Sequence, residues 1–172
     1  ITNDLTLTNG HITTGNNNVT LSKGASGSIG SHIITSGTGT VVANNVGTTP
    51  YGIPVSPDAA GYNPVTLTNG QGLNYTVKVA SGILPVIFNS AIAINRTWAI
   101  VPSATPTSPV TIAFEYQDGH ANASANPTAN MEVGVHNGTN WAVVSPSGGV
   151  APTGPATARQ VVVQSTQMGA FV

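Results

Sequence analysis

The chain contains no cysteine, which excludes disulfides, thiolate metal sites and thiol nucleophiles together. Stability must then come from packing and backbone ladders. Charge is nearly as scarce: 5% of the 172 residues are charged, against roughly 25% in ordinary soluble domains. Thr, Ser, Asn and Gly must cover the surface instead. The basic residues Lys23, Lys78, Arg96 and Arg159 and the acidic residues Asp4, Asp58, Glu115, Asp118 and Glu132 are scattered and build no positive stripe, which argues against nucleic acid as a principal partner. Long hydrophobic runs are missing too. Ile83 to Phe88 is interrupted by Pro85 and falls far short of a membrane span, so no membrane insertion is expected. No helix-period stripe occurs, and the abundant Thr, Val and Ile disfavour helix through lost rotamer freedom.

What is present is a chain able to fold: 40% of residues are hydrophobic and regularly interleaved with Thr and Asn, unlike a disordered linker. A net charge of −1 removes the repulsion that keeps most proteins apart, so close packing of identical copies is tolerated. The runs Leu5–Gly10, His11–Gly15 and Val19–Gly24 alternate with period two and close on Asn or Gly, which predicts short strands with Leu5, Leu7, Val19 and Leu21 on one face. Asn9-Gly10 is a turn signal because both residues tolerate positive φ. The Leu5 and Val19 runs begin fourteen residues apart, and Ile33-Ile34 and Val41-Val42 continue the style. Solenoid rungs and a meander fit equally well.

Residues 44–64 carry Pro50, Pro54, Pro57 and Pro64 among glycines and are read as a connection without regular structure. Beyond them the strand candidates are Val65–Leu67, Tyr75–Val79, Val86–Phe88, Ile92–Ile100, Val110–Tyr116, Met131–His136, Trp141–Val144 and Gln160–Gln164. Their turn-separated spacing predicts an antiparallel β-sandwich. The expected organisation is all-β: a short-strand segment (1–46), solenoid-like or meander, a Pro/Gly-rich connection (47–64) and a sandwich (65–172). Trp98, Trp141, Phe88, Phe114 and Tyr116 are read as core.

No catalytic constellation stands out, and no cofactor is implied. His11, His32, His120 and His136 lack a partnered nucleophile at recognised spacing and are read as solvated. Glu132 and His136 share a strand face but make only two ligands. Glu115, Asp118 and Asn122 offer oxygen ligands without the calcium-loop pattern, and a turn at Asp118-Gly119 explains them. Asn18, Asn74, Asn95, Asn122 and Asn137 open Asn-x-Ser/Thr triplets, several of which chance supplies in so Asn- and Thr-rich a chain.

Gly61-Tyr62-Asn63-Pro64-Val65-Thr66-Leu67-Thr68, Ile94-Asn95-Arg96-Thr97-Trp98, Val133 to His136, Gly138-Thr139-Asn140-Trp141 and Met168-Gly169-Ala170-Phe171-Val172 together resemble a β module that recurs in large surface proteins of Bacteroidota, many of them exported by the type IX secretion system. The Leu5 to Val42 style is similar to the strands that lead into that module. The resemblance implies adhesion, surface coating or gliding, and it carries no catalytic residue. The chain lacks a recognisable sorting domain after Val172, so it is expected to be either a fragment or a short secreted subunit.

The leading expectation is an extracellular structural protein, a mature secreted chain that packs with copies of itself into a filament, sheath or surface layer. Ile1, Leu5 and Leu7 mark the candidate joining strand, since a proline-free terminal segment can add to a neighbour's sheet. The alternative is an adhesin or carbohydrate-binding module contacting surface glycans through Tyr116, Asp118, Asn140 and Trp141. A third reading places Thr6, Thr8, Thr13 and Thr20 on a flat face able to order water at ice.

Overall fold

A computed structural model describes residues 4–85 and 89–172. Among them the chain is nearly all β, with two single-turn 3-10 segments and no α-helix. The first strands are β1 (Leu5–Thr6), β2 (Ile12–Thr13), β3 (Val19–Leu21), β4 (Ala25–Ser26), β5 (Ile33–Ile34), β6 (Val41–Val46), β7 (Tyr51–Ile53) and β8 (Val55–Ser56). Strands this short bury too little alone, and they pair with the next pass of the chain. The pairing between passes is parallel: Leu5 lies beside Ala25, Ile12 beside Ile33, Val19 beside Val41 and Ile33 beside Val55, while β7 pairs antiparallel with residues 65–67. Stacking therefore recurs after 20 to 22 residues. The fourteen-residue spacing from Leu5 to Val19 joins two different sheets of one pass, because each side of a pass takes only a few residues and a corner.

The corners hold the passes together. Asn18 Oδ1 accepts from the Thr40 backbone N–H at 3.1 Å and the Thr40 hydroxyl at 2.9 Å. Thr14 Oγ1 donates to Ser36 O at 3.2 Å. The backbones are so close that a Cβ on Gly39 would stand 2.4 Å from Asn17 O, which only glycine avoids. The stretch 47–64, expected to lack regular structure, holds β7 and β8. Pro50, Pro54 and Pro57 flank these strands without entering them, so no ladder hydrogen bond is lost.

The later strands are β9 (Val65–Thr68), β10 (Leu73–Ser81), β11 (Arg96–Pro102), β12 (Val110–Tyr116), β13 (Gly134–His136), β14 (Trp141–Val143), β15 (Arg159–Ser165) and β16 (Gly169–Phe171). Their mutual pairing is antiparallel throughout. Two expected strands start later than their apolar runs: Ser90–Ile92 forms a 3-10 turn before β11, and Met131 makes only an isolated bridge with Val150 before β13. The Val86–Phe88 candidate lies outside the described residues. β16 was not anticipated as a strand; Gly-Ala-Phe is too short to show alternation, yet Phe171 is fully buried.

Seven strands form one sheet in the order β14-β13-β16-β11-β10-β6-β3, and four form another in the order β15-β12-β9-β7. Both sheets thus contain strands from the parallel and the antiparallel regions. Trp98 on β11 meets Phe114 on β12 at 5.3 Å between ring centroids, and Phe114 meets Phe171 at 5.2 Å, so the two sheets face each other across the core. One continuous hydrophobic cluster runs from Leu21 and Ile33 to Val163 and Phe171.

Candidate functional site

A buried polar junction lies where the Ser56–Asn63 loop meets β11, β12 and the 3-10 turn Asp118–His120. The Arg96 Nε donates to Asn63 Oδ1 at 2.9 Å, and a guanidinium can only donate, so the orientation of the Asn63 amide is fixed. Its Nδ2 then faces Glu115 O at 3.3 Å and His120 Nδ1 at 3.0 Å. The Gln117 backbone N–H points at the same Nδ1 from 3.3 Å. Two donors on Nδ1 require it to be unprotonated, and the ring proton sits on Nε2. Asn63 also accepts from Trp98 Nε1 through its carbonyl at 3.1 Å, while Thr97 Oγ1 donates to Gly82 O at 2.7 Å. The Tyr62-Asn63 and Arg96-Thr97-Trp98 segments, far apart in sequence, therefore meet in one network. Gly61 packs closely beside it: a Cβ there would lie 2.9 Å from Ser56 Oγ and 3.3 Å from Arg96 Nη2, so these side-chain ends would have to shift.

Burial sets the protonation of these groups. Desolvation, aided by the Arg96 charge and opposed by Asp58, pushes His120 down to about 4. Desolvation lowers the Arg96 guanidinium against the pull of Asp58 and raises the Glu115 carboxyl. Tyr62 is raised to about 12 by burial and then by the Glu115 charge. A neutral imidazole and a raised carboxyl are features that active sites share. Here, however, no buried side-chain N or O among the described residues lacks a partner. The arrangement locks loop to sheet.

The histidines differ from expectation. His32 is fully buried and His120 is 9% exposed, where solvated positions were expected, because each ring bridges two chain segments that pack in the interior. His32 Nδ1 lies 3.1 Å from Ser28 O and Nε2 lies 2.9 Å from Asp58 O, with the tilted rings of His11 at 4.2 Å and Tyr62 at 5.7 Å between centroids. The sequence offered no signal for this cluster, whose members are joined only by stacking of successive passes.

The four glycan candidates do not share one surface. Tyr116 is 2% exposed, donates its hydroxyl to Pro127 O at 2.9 Å, and is raised to about 12 by burial and then by Asp118. Asp118 accepts from Arg159 Nε at 2.9 Å and Nη2 at 3.3 Å. Asn140 is exposed in the turn before β14, and the half-buried Trp141 ring meets the His136 ring at a tilt, 5.2 Å between centroids. Glu132 is exposed, Asn122 donates to Ser90 O at 2.7 Å, and among the described residues no group of three or more His, Cys, Asp or Glu could hold a metal ion. Thr6, Thr13 and Thr20 are exposed on three different sheets, so the flat threonine face is not formed: successive strands of one pass turn corners.

Of the candidate joining strand, Ile1 lies outside the described residues. Leu5 pairs with Ala25 of the same chain and the Leu7 N–H donates to Ser26 O at 2.9 Å, with both side chains packed against the core. An open cleft of about 700 Å³ runs along β1, β4 and β7. It offers no aromatic face for a sugar, since Tyr51 is 6% exposed and donates to Leu21 O at 2.6 Å. Among the described residues, open strand edges remain at β14 of the larger sheet and at β15 of the smaller. Comparison with protein-family models, with curated proteins and with solved structures found no match.

Proposed function

We propose that this chain is an extracellular structural protein of a bacterial cell surface that packs with copies of itself into a filament, sheath or surface layer. In this reading it is a non-enzymatic secreted subunit in which solenoid-like parallel strands lead into an antiparallel β-sandwich. The observation that carries it is a nearly uncharged surface combined with open strand edges. The ion pairs among the described residues are Lys23 with Asp4 and Arg159 with Asp118, so few charges are left to keep copies apart. Open edges supply rows of backbone groups that an incoming strand can satisfy. The resemblance of the Tyr62-Asn63-Pro64 and Arg96-Thr97-Trp98 segments to Bacteroidota surface modules supports the location. Negative-stain imaging of the purified chain at rising concentration tests the reading. Ordered polymers or layers are expected, and dispersed monomers at high concentration would overturn it.

A second reading, an adhesin contacting surface glycans, is favoured by the Trp141 ring standing beside exposed Asn140 on edge strand β14. Tyr116 and Asp118 are engaged elsewhere, so this reading rests on Trp141 and Asn140. A glycan screen with tryptophan fluorescence separates it from the first.

A further inference from the structure

Strand β15 ends the four-stranded sheet. It spans seven residues and pairs with β12 in unbroken register from Ser165 opposite Val110 to Arg159 opposite Tyr116. Gln160 exchanges both of its backbone hydrogen bonds with Thr153, outside the sheet, at 2.8 and 2.9 Å. Antiparallel ladders alternate strictly, so Val162 and Gln164 point the same way as Gln160. Thr153 covers the edge only at Gln160. Among the described residues, the N–H and C=O groups of Val162 and Gln164 have no partner on that side.

Natural edges are blunted by proline, lysine, a bulge or a covering segment. This one has none of them between Val161 and Ser165: no charged residue, no proline and no break in register. Val162 is 40% exposed on the outer face, while Val161 and Val163 are each 3% exposed in the core. The nearest charge, Arg159, is already held by Asp118.

We propose that the β15 edge is a joint for a second copy of this chain, formed by antiparallel pairing of β15 with the same strand of that copy about a two-fold axis centred on Val163. Centring there sets Val162 opposite Gln164 of the second copy, and Gln164 opposite its Val162. The four open backbone groups of each edge are then all used, and the Thr153 bridge at Gln160 stays intact. Across the pair Val163 faces its own copy, Val162 faces Gln164 and Val161 faces Ser165, so only uncharged side chains meet. Neutral copies meet without the like-charge repulsion that destabilises facing charges. A two-fold joint closes on itself, so it builds a pair, and a polymer would need a further joint at another edge. The inference rests on the self-assembly reading and names one of its contacts.

Sedimentation velocity of the full chain over a concentration series, combined with amide hydrogen exchange, tests it. Gln164→Pro removes an outward N–H that makes no bond within the chain, Val162→Lys adds a charge on the exposed face, and Gln164→Thr keeps the N–H as a control. The expected result is association of the wild type and Gln164→Thr, at least tenfold weaker association of Gln164→Pro and Val162→Lys with unchanged circular dichroism, and slowed exchange of the Val162 and Gln164 amides on association. Exchange on the wild type alone carries the test if either variant misfolds. Association of the wild type with these two amides still exchanging freely would overturn the β15 joint and leave self-assembly standing. A wild type that stays monomeric throughout would overturn both.

Discussion

The first 56 residues and the last 108 reach the same all-β outcome by different means. In the parallel region the strands are two to six residues long, and order comes from corners stacked on corners, with Asn and Thr side chains bonding across passes. In the antiparallel region β10, β11, β12 and β15 run seven to nine residues, and long ladders with alternating burial do the work. The difference teaches that a nearly uncharged β surface can be specified in two ways, by side-chain ladders or by strand length. The two regions are nevertheless joined, because they share both large sheets and one hydrophobic cluster.

The sharpest way to break this comparison is at the Asn63 junction. Asn63→Ala would strand the buried Arg96 Nε and take the amide donor from Glu115 O and His120 Nδ1, and leaving buried polar groups unsatisfied costs roughly 2 to 4 kcal/mol in such a network. Chemical denaturation followed by far-ultraviolet circular dichroism, which reports strands of both regions, is expected to show a single transition at lower midpoint. Two separated transitions would mean that the parallel region folds independently of the rest.

A smaller effect comes from acid. The His120 ring stays neutral in the fold down to about 4 and protonates at its ordinary value of 6.5 once unfolded. The unfolded chain therefore binds more protons between these values, and stability falls as pH drops from 6.5 to 4, by up to about 3 kcal/mol. Glu115 acts in the opposite sense: burial raises its carboxyl, so the fold takes up that proton more readily and regains part of the loss at the acid end. Denaturation midpoints measured across this range should fall with pH, and His120→Gln should flatten the dependence. If the mutant keeps the full slope, another group carries it.

The smallest effect expected is at the corners. Asn18→Ala removes an exposed acceptor for Thr40, and a solvent-accessible hydrogen bond of this kind contributes about 0.5 kcal/mol. Faster amide exchange confined to residues near Thr40 would place the effect in the parallel region alone. A loss as large as that of Asn63→Ala would show that corner ladders matter as much as the buried junction.

Much of the antiparallel region was legible because its strands are long enough for period-two alternation to be counted: Val110–Tyr116 matches β12 residue for residue. The parallel region showed its strands but not their partners. Asn9-Gly10 reads as a turn signal, and Gly10 does take a φ of 75°; the turn is a corner, and β1 pairs with β4 and not with β2. Local turn chemistry is the same for a corner and a reversal. The polar junction was invisible for a related reason: Asn63, Arg96 and His120 are ordinary singly, and only packing brings them within 3 Å or so of each other.

By itself, then, the amino-acid sequence determined the chemistry of the surface and the secondary structure. Absence of cysteine, scarcity of charge and the Thr, Val and Ile content leave little but strands with neutral outer faces. Tertiary structure alone decided which strands became neighbours, which histidines were buried and which edge of each sheet was left open. Pairing depends on contacts between residues 20 to 22 apart in one region and far more distant in the other. The entropy of closing such loops changes slowly with length, so spacing selects no partner. Selection falls to the fit of side chains in a shared core.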